Sequence, residues 1–438
     1  MKELKLKFIK YVSLNVIGMI GLSCYILADT FFVAEALGTV GIAALNFSIS
    51  IFSILQGVGL MIGIGGATDF SISKQEKNNS NNKSFTHAIV MGAVASLIFI
   101  IVAISFTKQL GTLLGADETT LPLTHVYLTT LLSFSPFFIL NNILLAFIRN
   151  DKNPKLSMIA MLVSSFSNIV LDYIFMFPLS MGIFGAALAT GLSPIISLCI
   201  LSLHFISKKQ SFHIVRCKIH FSRVLRIISL GFSSFIGELA SAIALITFNL
   251  IILKIEGNVG VAAYGIVANV ALIATAIFVG ISQGIQPLAS KYYSEKDMLS
   301  ANLILKYAVI TSIIVSVIIY TVIFSNKNII ISTFNSENNK QLAILASVGI
   351  KIYFIGYIFA GVNIISAAFF SATSKAKEAM VVSTLRSCII LVPIVLIFSM
   401  IFKMNGVWLS FVITELIVCI ITIIFFYSLK YKNRMIQY

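Results

Sequence analysis

Two octapeptides half a chain apart decide how this sequence folds: GTVGIAAL, from Gly38 to Leu45, and GNVGVAAY, from Gly257 to Tyr264. They share Gly, Val, Gly, Ala and Ala in register at an offset of 219 residues in a chain of 438. A weaker pair repeats in the same order near the same offset, GAALAT from Gly185 and GVWLSF from Gly406. Self-similarity at half the chain length predicts two copies of one structural unit.

The residues around these repeats say what the unit is. The chain is 58% hydrophobic and only 11% charged, with a mean hydropathy of +1.00, whereas a soluble domain carries roughly 25% charged residues. Apolar runs long enough to cross a hydrocarbon core of about 30 Å lie near 8–34, 43–68, 85–107, 121–148, 157–177, 182–206, 224–253, 260–287, 302–325, 342–370, 380–402 and 405–428. Lipid offers backbone groups no partners, and uniformly apolar runs suit helices better than alternating barrel strands. The expectation is an all-α membrane protein of about twelve transmembrane helices in two six-helix lobes. The lobes are expected at 1–206 and 224–438, joined by a basic linker at 207–223.

An even number of spans per half makes both halves enter the membrane from the same side, with a central cleft between two bundles. The formal net charge is +15, yet the cations form no single patch for nucleic acid. They alternate by loop: 23 fall on one side, among them Lys74, Lys77, Lys83, Lys152, Lys208 and Lys209. Only Lys108, Lys254, Lys327, Lys340 and Lys403 fall on the other. The positive-inside rule then puts both termini and the linker in the cytoplasm. The basic N-terminus and first apolar run read as an uncleaved first span rather than a signal peptide.

Several classes fall away. Cys24, Cys199, Cys217, Cys388 and Cys419 are scattered, without a CxxC pair, and read as small buried apolar residues. His87, His125, His204, His213 and His220 fit no metal or acid-base motif, which argues against an enzyme. GVGLMIGIGG from Gly57 has no preceding strand and no following Lys-Ser/Thr, so it reads as close helix packing and not as a nucleotide loop.

A carboxylate inside a bilayer costs a few kcal/mol or more (about 2.5–3.5 on insertion scales) and is a functional hypothesis by default. Asp29 lies late in span 1, Asp172 late in span 5, Glu238 mid-span 7 and Glu415 mid-span 12. Asn168 and Asp172 are four apart, on one helical face. Spans 1 and 5 both run outward, so Asp29 and Asp172 share the outer half of the first lobe, where Thr190 reaches the same depth. Two carboxylates desolvated together favour holding a proton, or sharing a sodium ion with Asn and Thr oxygens. In the second half Glu238 and Glu415 are joined by Asn269, Gln283, Lys351 and Arg386, a mixed set whose buried charges are expected to pair.

The residues also match a family. ADTFFVAEALGTVGIAAL from Ala28, IRNDKNP from Ile148, SNIVLDYIF from Ser167, VAAYGIVANV from Val261 and GISQGIQPL from Gly280, with the two weaker repeats above, resemble the MATE (multidrug and toxic compound extrusion) transporters through both halves. The resemblance implies a V-shaped, two-lobed pump in the cell membrane of a bacterium, a monomer without cofactors, exchanging inward Na+ or H+ for outward organic cations or other drugs. Carried over by motif, Asp29, Tyr127, Asn168, Asp172 and Thr190 match the cation-coupling site, with Na+ placed at Asp29, Asn168 and Asp172. The span-4 asparagine of the pattern is displaced to Asn141 or Asn142, about one turn earlier. Glu238 is similar to an acidic residue used for ion or drug in some branches. With Asn269, Gln283, Arg386 and Glu415 it makes the expected substrate-binding set. No acidic partner stands clearly in span 10. The alternative within the same superfamily is a lipid-linked saccharide flippase, which has more spans and a cationic cleft.

Overall fold

The computed structural model describes residues 2–73, 80–208, 210–334 and 339–435. Lys74, Lys77 and Lys209 of the charge tally lie outside them. Among the described residues the chain is all-helical, with no strand.

Spans α1 (Lys2–Gly38), α2 (Val40–Ile72), α3 (Asn81–Ser105), α5 (Pro154–Met176) and α6 (Gly182–Ile206) belong to the first half. Between α3 and α5 lies α4, a broken span of Leu121–Ser133 and Ser135–Asn150 bent by 49°. The bend falls at Ser135-Pro136, where proline removes a backbone donor. The second half has α7 (Phe221–Gly257), α8 (Val259–Ser294), α9 (Met298–Ser325) and α10 (Lys340–Ala372). A continuous helical stretch, Ala376–Ser428, ends the chain's apolar part. Its 53 residues would reach about 80 Å at 1.5 Å per residue, more than twice the hydrocarbon core. The backbone breaks at Lys403 (φ 49, ψ −131), so the stretch is two spans, α11 (376–402) and α12 (404–428). The expectation of twelve spans holds on this count.

The octapeptide repeat acquires a physical meaning here. Gly38 (φ 60, ψ −149) and Gly257 (φ 62, ψ −155) take the same conformation, one that only glycine enters without strain. Nothing lies within 4 Å of a Cβ at either position. The backbone, and not crowding, therefore requires the glycine. Each octapeptide is a reversal followed by the first turns of the next span.

Two large apolar cores stand out among the described residues. One gathers Val33, Leu55, Phe70, Phe85, Leu131, Phe147 and Leu201 from α1–α6. The other gathers Phe248, Tyr264, Phe278, Phe354, Tyr357 and Trp408 from α7–α12. The first turns of α1 cross over: Leu4, Phe8, Tyr11 and Val12 belong to the second core. The linker is also less free than its polarity suggests. Phe212 is wholly buried among Phe70, Phe85, Phe147 and Phe205. The N–H groups of His213 and Val215 donate to Asn82 Oδ1 at 3.3 Å and Thr86 Oγ1 at 3.0 Å. The strand-like segment is thus strapped to α3 of the first half.

The halves meet through glycines. Cβ atoms on Gly280 and Gly284 of α8 would come 2.6 and 2.7 Å from the Cα atoms of Val16 and Val12 on α1. Gly231 of α7 rests on the Met61 carbonyl of α2. Such contacts let backbones approach as closely as small-residue packing in membranes allows. All of them lie toward the end of the bundle that carries the N-terminus.

Candidate functional site: a buried acidic cluster in the first half

The five residues expected to couple a cation converge. Asp29 of α1 is 7% exposed, Tyr127 of α4 5%, Asn168 and Asp172 of α5 0%, and Thr190 of α6 4%. Asn168 lies 3.5 Å from the Thr190 hydroxyl. Its amide is best satisfied with the nitrogen donating to Asp172 Oδ2 at 3.1 Å and the oxygen accepting from the Thr190 N–H at 3.3 Å. Asp29 and Asp172 lie within electrostatic reach of each other, and Tyr127 faces both carboxylates and Thr190.

Asp29 Oδ1 and Asp172 Oδ1 are buried without any hydrogen-bond partner. A buried acceptor left unpaired costs roughly 1–3 kcal/mol, more when charged. Two such oxygens on carboxylates within electrostatic reach of each other, with amide and hydroxyl oxygens around them, suit a proton or a small hard cation. Among the described residues no group of three His, Cys, Asp or Glu is placed to hold a metal ion; any cation here would rest on two carboxylates and neutral oxygens.

One residue at this site was not singled out in the sequence. Tyr25 sits one turn before Asp29, half-buried, within electrostatic reach of Asp29, Asp172 and, from the second half, Glu238 of α7. The four-residue spacing from Asp29 was the available signal. Asn142 donates to Gln56 Oε1 at 2.8 Å and to the Phe138 carbonyl at 3.1 Å, and its neighbour Asn141 has a buried, unpartnered Oδ1.

The residues expected to bind substrate separate into three places. Glu415 of α12 is 2% exposed and accepts from Arg386 Nη2 at 2.6 Å and Nε at 3.1 Å. It also accepts from Asn363 Nδ2 at 2.7 Å. Arg386 stands in a π-helical turn, Leu385–Ile389, just before Pro393, whose missing N–H leaves the upstream carbonyl to other partners. This is a closed ion pair inside the second bundle. Gln283 lies elsewhere, at the junction of the halves, where Arg149 Nη1 donates to it at 2.5 Å. Glu238 and Asn269 are half-buried on α7 and α8. Lys351 is exposed and stands apart from the pair.

The junction carries charges that sequence reading passed over. Arg149, 2% exposed, also donates to Asn15 Oδ1 at 2.9 Å. Asp69 at the end of α2 is fully buried, 2.9 Å from Arg226 Nε and 3.4 Å from Arg223 Nε of α7. Ser84 donates to it at 2.6 Å. Gln286 of α8 donates to Thr68 of α2 at 2.7 Å. These contacts tie the halves together at one end.

The geometry has close counterparts. The family model MatE matches residues 16–174 and 234–397. The multidrug export protein MepA of Staphylococcus saprophyticus is 26% identical over 396 residues, covering 89% of this chain and 86% of that protein. MepA of Staphylococcus aureus is 26% identical over 393 residues, with coverage of 89% and 86%. Among solved structures, an outward-facing multidrug resistance MATE family transporter of the MOP superfamily superposes with a TM-score of 0.90 at 19% identity, covering 96% of this chain and 94% of that one. A MOP superfamily transporter from Pyrococcus furiosus gives 0.89 at 19% identity, with coverage of 96% and 95%. With the family model matched across both halves and the acidic cluster assembled in the same fold, the chain belongs to the MatE family.

Proposed function

We propose that this protein is a secondary transporter, not an enzyme, which exports organic cations or other drugs across a bacterial cell membrane in exchange for inward Na+ or H+. The observation that carries the reading is the unpartnered carboxylate oxygens on Asp29 and Asp172, buried within electrostatic reach of each other in a membrane-spanning bundle. Burying two anions without a partner is costly unless a cation visits them. The names of the relatives, multidrug export proteins, support the direction and the breadth of the cargo.

The 23-to-5 distribution of basic residues supports cytoplasmic termini. On that orientation the junction closes the cytoplasmic end and the cleft faces outward. The acidic cluster sits buried in the outer half of the first lobe, on the side from which external ions arrive. Lobes 1–206 and 224–438 then rock about the junction, and inward opening breaks the Asp69–Arg226, Arg149–Gln283 and Gln286–Thr68 contacts. An ion can drive this only through its differential affinity for the two states. Each net charge moved inward through 100 mV adds about 2.3 kcal/mol.

Glu238, half-buried on α7, and the acids buried in the first bundle make the surroundings negative, suited to a cationic drug and not to an anionic lipid-linked sugar. Purified monomer in proteoliposomes, given a sodium or a proton gradient and a panel of cationic dyes, tests the reading. Dye extrusion driven by one gradient supports it; no response to either ion removes it.

A further inference from the structure

Beyond the transport site, the second half carries a feature on its outer wall. Spans α9 and α12 both pack on α10 rather than on each other. The gap left between them is a groove of about 550 Å³ that runs from Asn302 and Lys306 to Ile313 along α9, with Val362 on its floor and Phe426 on its far side. From Asn302 to Ile313 is about 16 Å at the helical rise, roughly half a hydrocarbon core.

The two ends of the groove differ. The deep end is apolar. At the shallow end stands Lys306, exposed, eight residues into the apolar span Met298–Ser325 and on the side of the membrane that carries the N-terminus. The neighbouring acids are committed elsewhere: Glu295 pairs with Lys291, and Asp297 accepts from the Ser300 N–H as the helix cap. Among the described residues no carboxylate pairs with Lys306. A cation facing lipid inside a span must reach toward the interface and find an anion there. Independently, Ser366 lines the groove with its hydroxyl buried and unpartnered.

We propose that this groove is a binding site for one anionic phospholipid, whose acyl chain fills the gap between α9 and α12 and whose phosphate is held by Lys306 with Asn302 beside it. Charge complementarity picks the headgroup, and the apolar depth picks the chain. Basic pockets between spans are the recurring form of such sites. A second copy of this chain fits the groove poorly, because it would bury Lys306 without an anion.

Intact-complex mass spectrometry of the full-length protein tests this, after reconstitution into bilayers of equal phosphatidylglycerol and phosphatidylethanolamine with matched chains. The expected result is one retained lipid, enriched in phosphatidylglycerol over the bilayer supplied. Lys306→Gln should cut that enrichment about fivefold, the worth of one lysine at an anionic surface, and Lys306→Arg should keep it. Ile313→Trp, which fills the deep end, should lower retention of both lipids. A retained lipid mirroring the supplied bilayer overturns the proposal. So does enrichment unaffected by Lys306→Gln, or a dimer that Ile313→Trp dissociates. Should Lys306→Gln fail to fold, the Lys306→Arg and Ile313→Trp readings still decide it.

Discussion

The two halves share a repeat and a medium but treat their buried acids in opposite ways. In the first, Asp29 and Asp172 stand together with two oxygens unpartnered. In the second, Glu415 is closed by Arg386 and Asn363. Removing one partner from a buried pair strands a charge at a cost of about 3–5 kcal/mol, whereas the unpartnered oxygens of Asp29 and Asp172 leave room for a partner from outside. Intramembrane charge alone therefore does not mark an ion site. Carboxylate oxygens left without a protein partner, Asp29 Oδ1 and Asp172 Oδ1, are what the proposed ion site rests on.

The largest expected effect follows from that difference. Asp172→Asn and Asp29→Asn should each abolish ion-driven efflux while leaving folding and membrane insertion intact, because the amide keeps hydrogen bonds but cannot cycle a charge. Dye efflux from proteoliposomes, with thermal unfolding as the folding control, measures this. Normal efflux by either variant would erase the contrast between the halves. Glu415→Gln should do the reverse. It strands Arg386 and costs about 3–5 kcal/mol of stability, read as a lower unfolding temperature and yield. The double change Glu415→Leu, Arg386→Met should recover most of it, since similar-sized apolar residues often replace a buried pair without loss.

A smaller effect is expected at the junction, where the halves touch. Asp69→Asn leaves the buried end of α2 unable to neutralise Arg223 and Arg226. Losing such a charge-assisted contact is worth about 1.5–3 kcal/mol, a shift of one to two orders of magnitude toward the inward-open state. Spin-label distances across the cytoplasmic end should lengthen. Unchanged distances would show that the ion pairs are not what holds the halves closed.

How much of this was legible in the sequence follows from what each residue's neighbours in the chain reveal. The spans were legible because lipid enforces long apolar helices, and the acidic cluster because carboxylates are rare in them. Asp69 and Arg149 were not: one lies at a span end and the other was counted with the cytoplasmic cations, where charge is ordinary. Their importance comes from burial against the other half, which periodicity does not record. Phe212 sits in a basic, aperiodic linker, and only the aromatic pocket that receives it marks it as core. The crossing of Leu4 and Phe8 into the second core is likewise a tertiary fact. Of the mixed set whose buried charges were expected to pair, Arg386 and Glu415 do so, while Gln283 bonds Arg149 instead and Lys351 is exposed.

The smallest effect sharpens the comparison at the level of the backbone. The first half turns between α1 and α2 on Gly38, and the second between α7 and α8 on Gly257. The turn between α11 and α12 falls on Lys403, at φ 49 and ψ −131, close to the glycine values but with a Cβ to accommodate. A non-glycine residue in this region costs about 1–3 kcal/mol, offset in part by the lower unfolded-chain entropy of lysine relative to glycine. Lys403→Gly should therefore stabilise the protein by about 1 kcal/mol. Gly257→Ala should destabilise it by about 1–3 kcal/mol, with no steric contribution, since nothing lies within 4 Å of the added Cβ. Thermal or denaturant unfolding of the three proteins side by side measures the opposed shifts. If Lys403→Gly lowers stability, the lysine side chain itself anchors the outer turn, and the two halves close their loops by different physics.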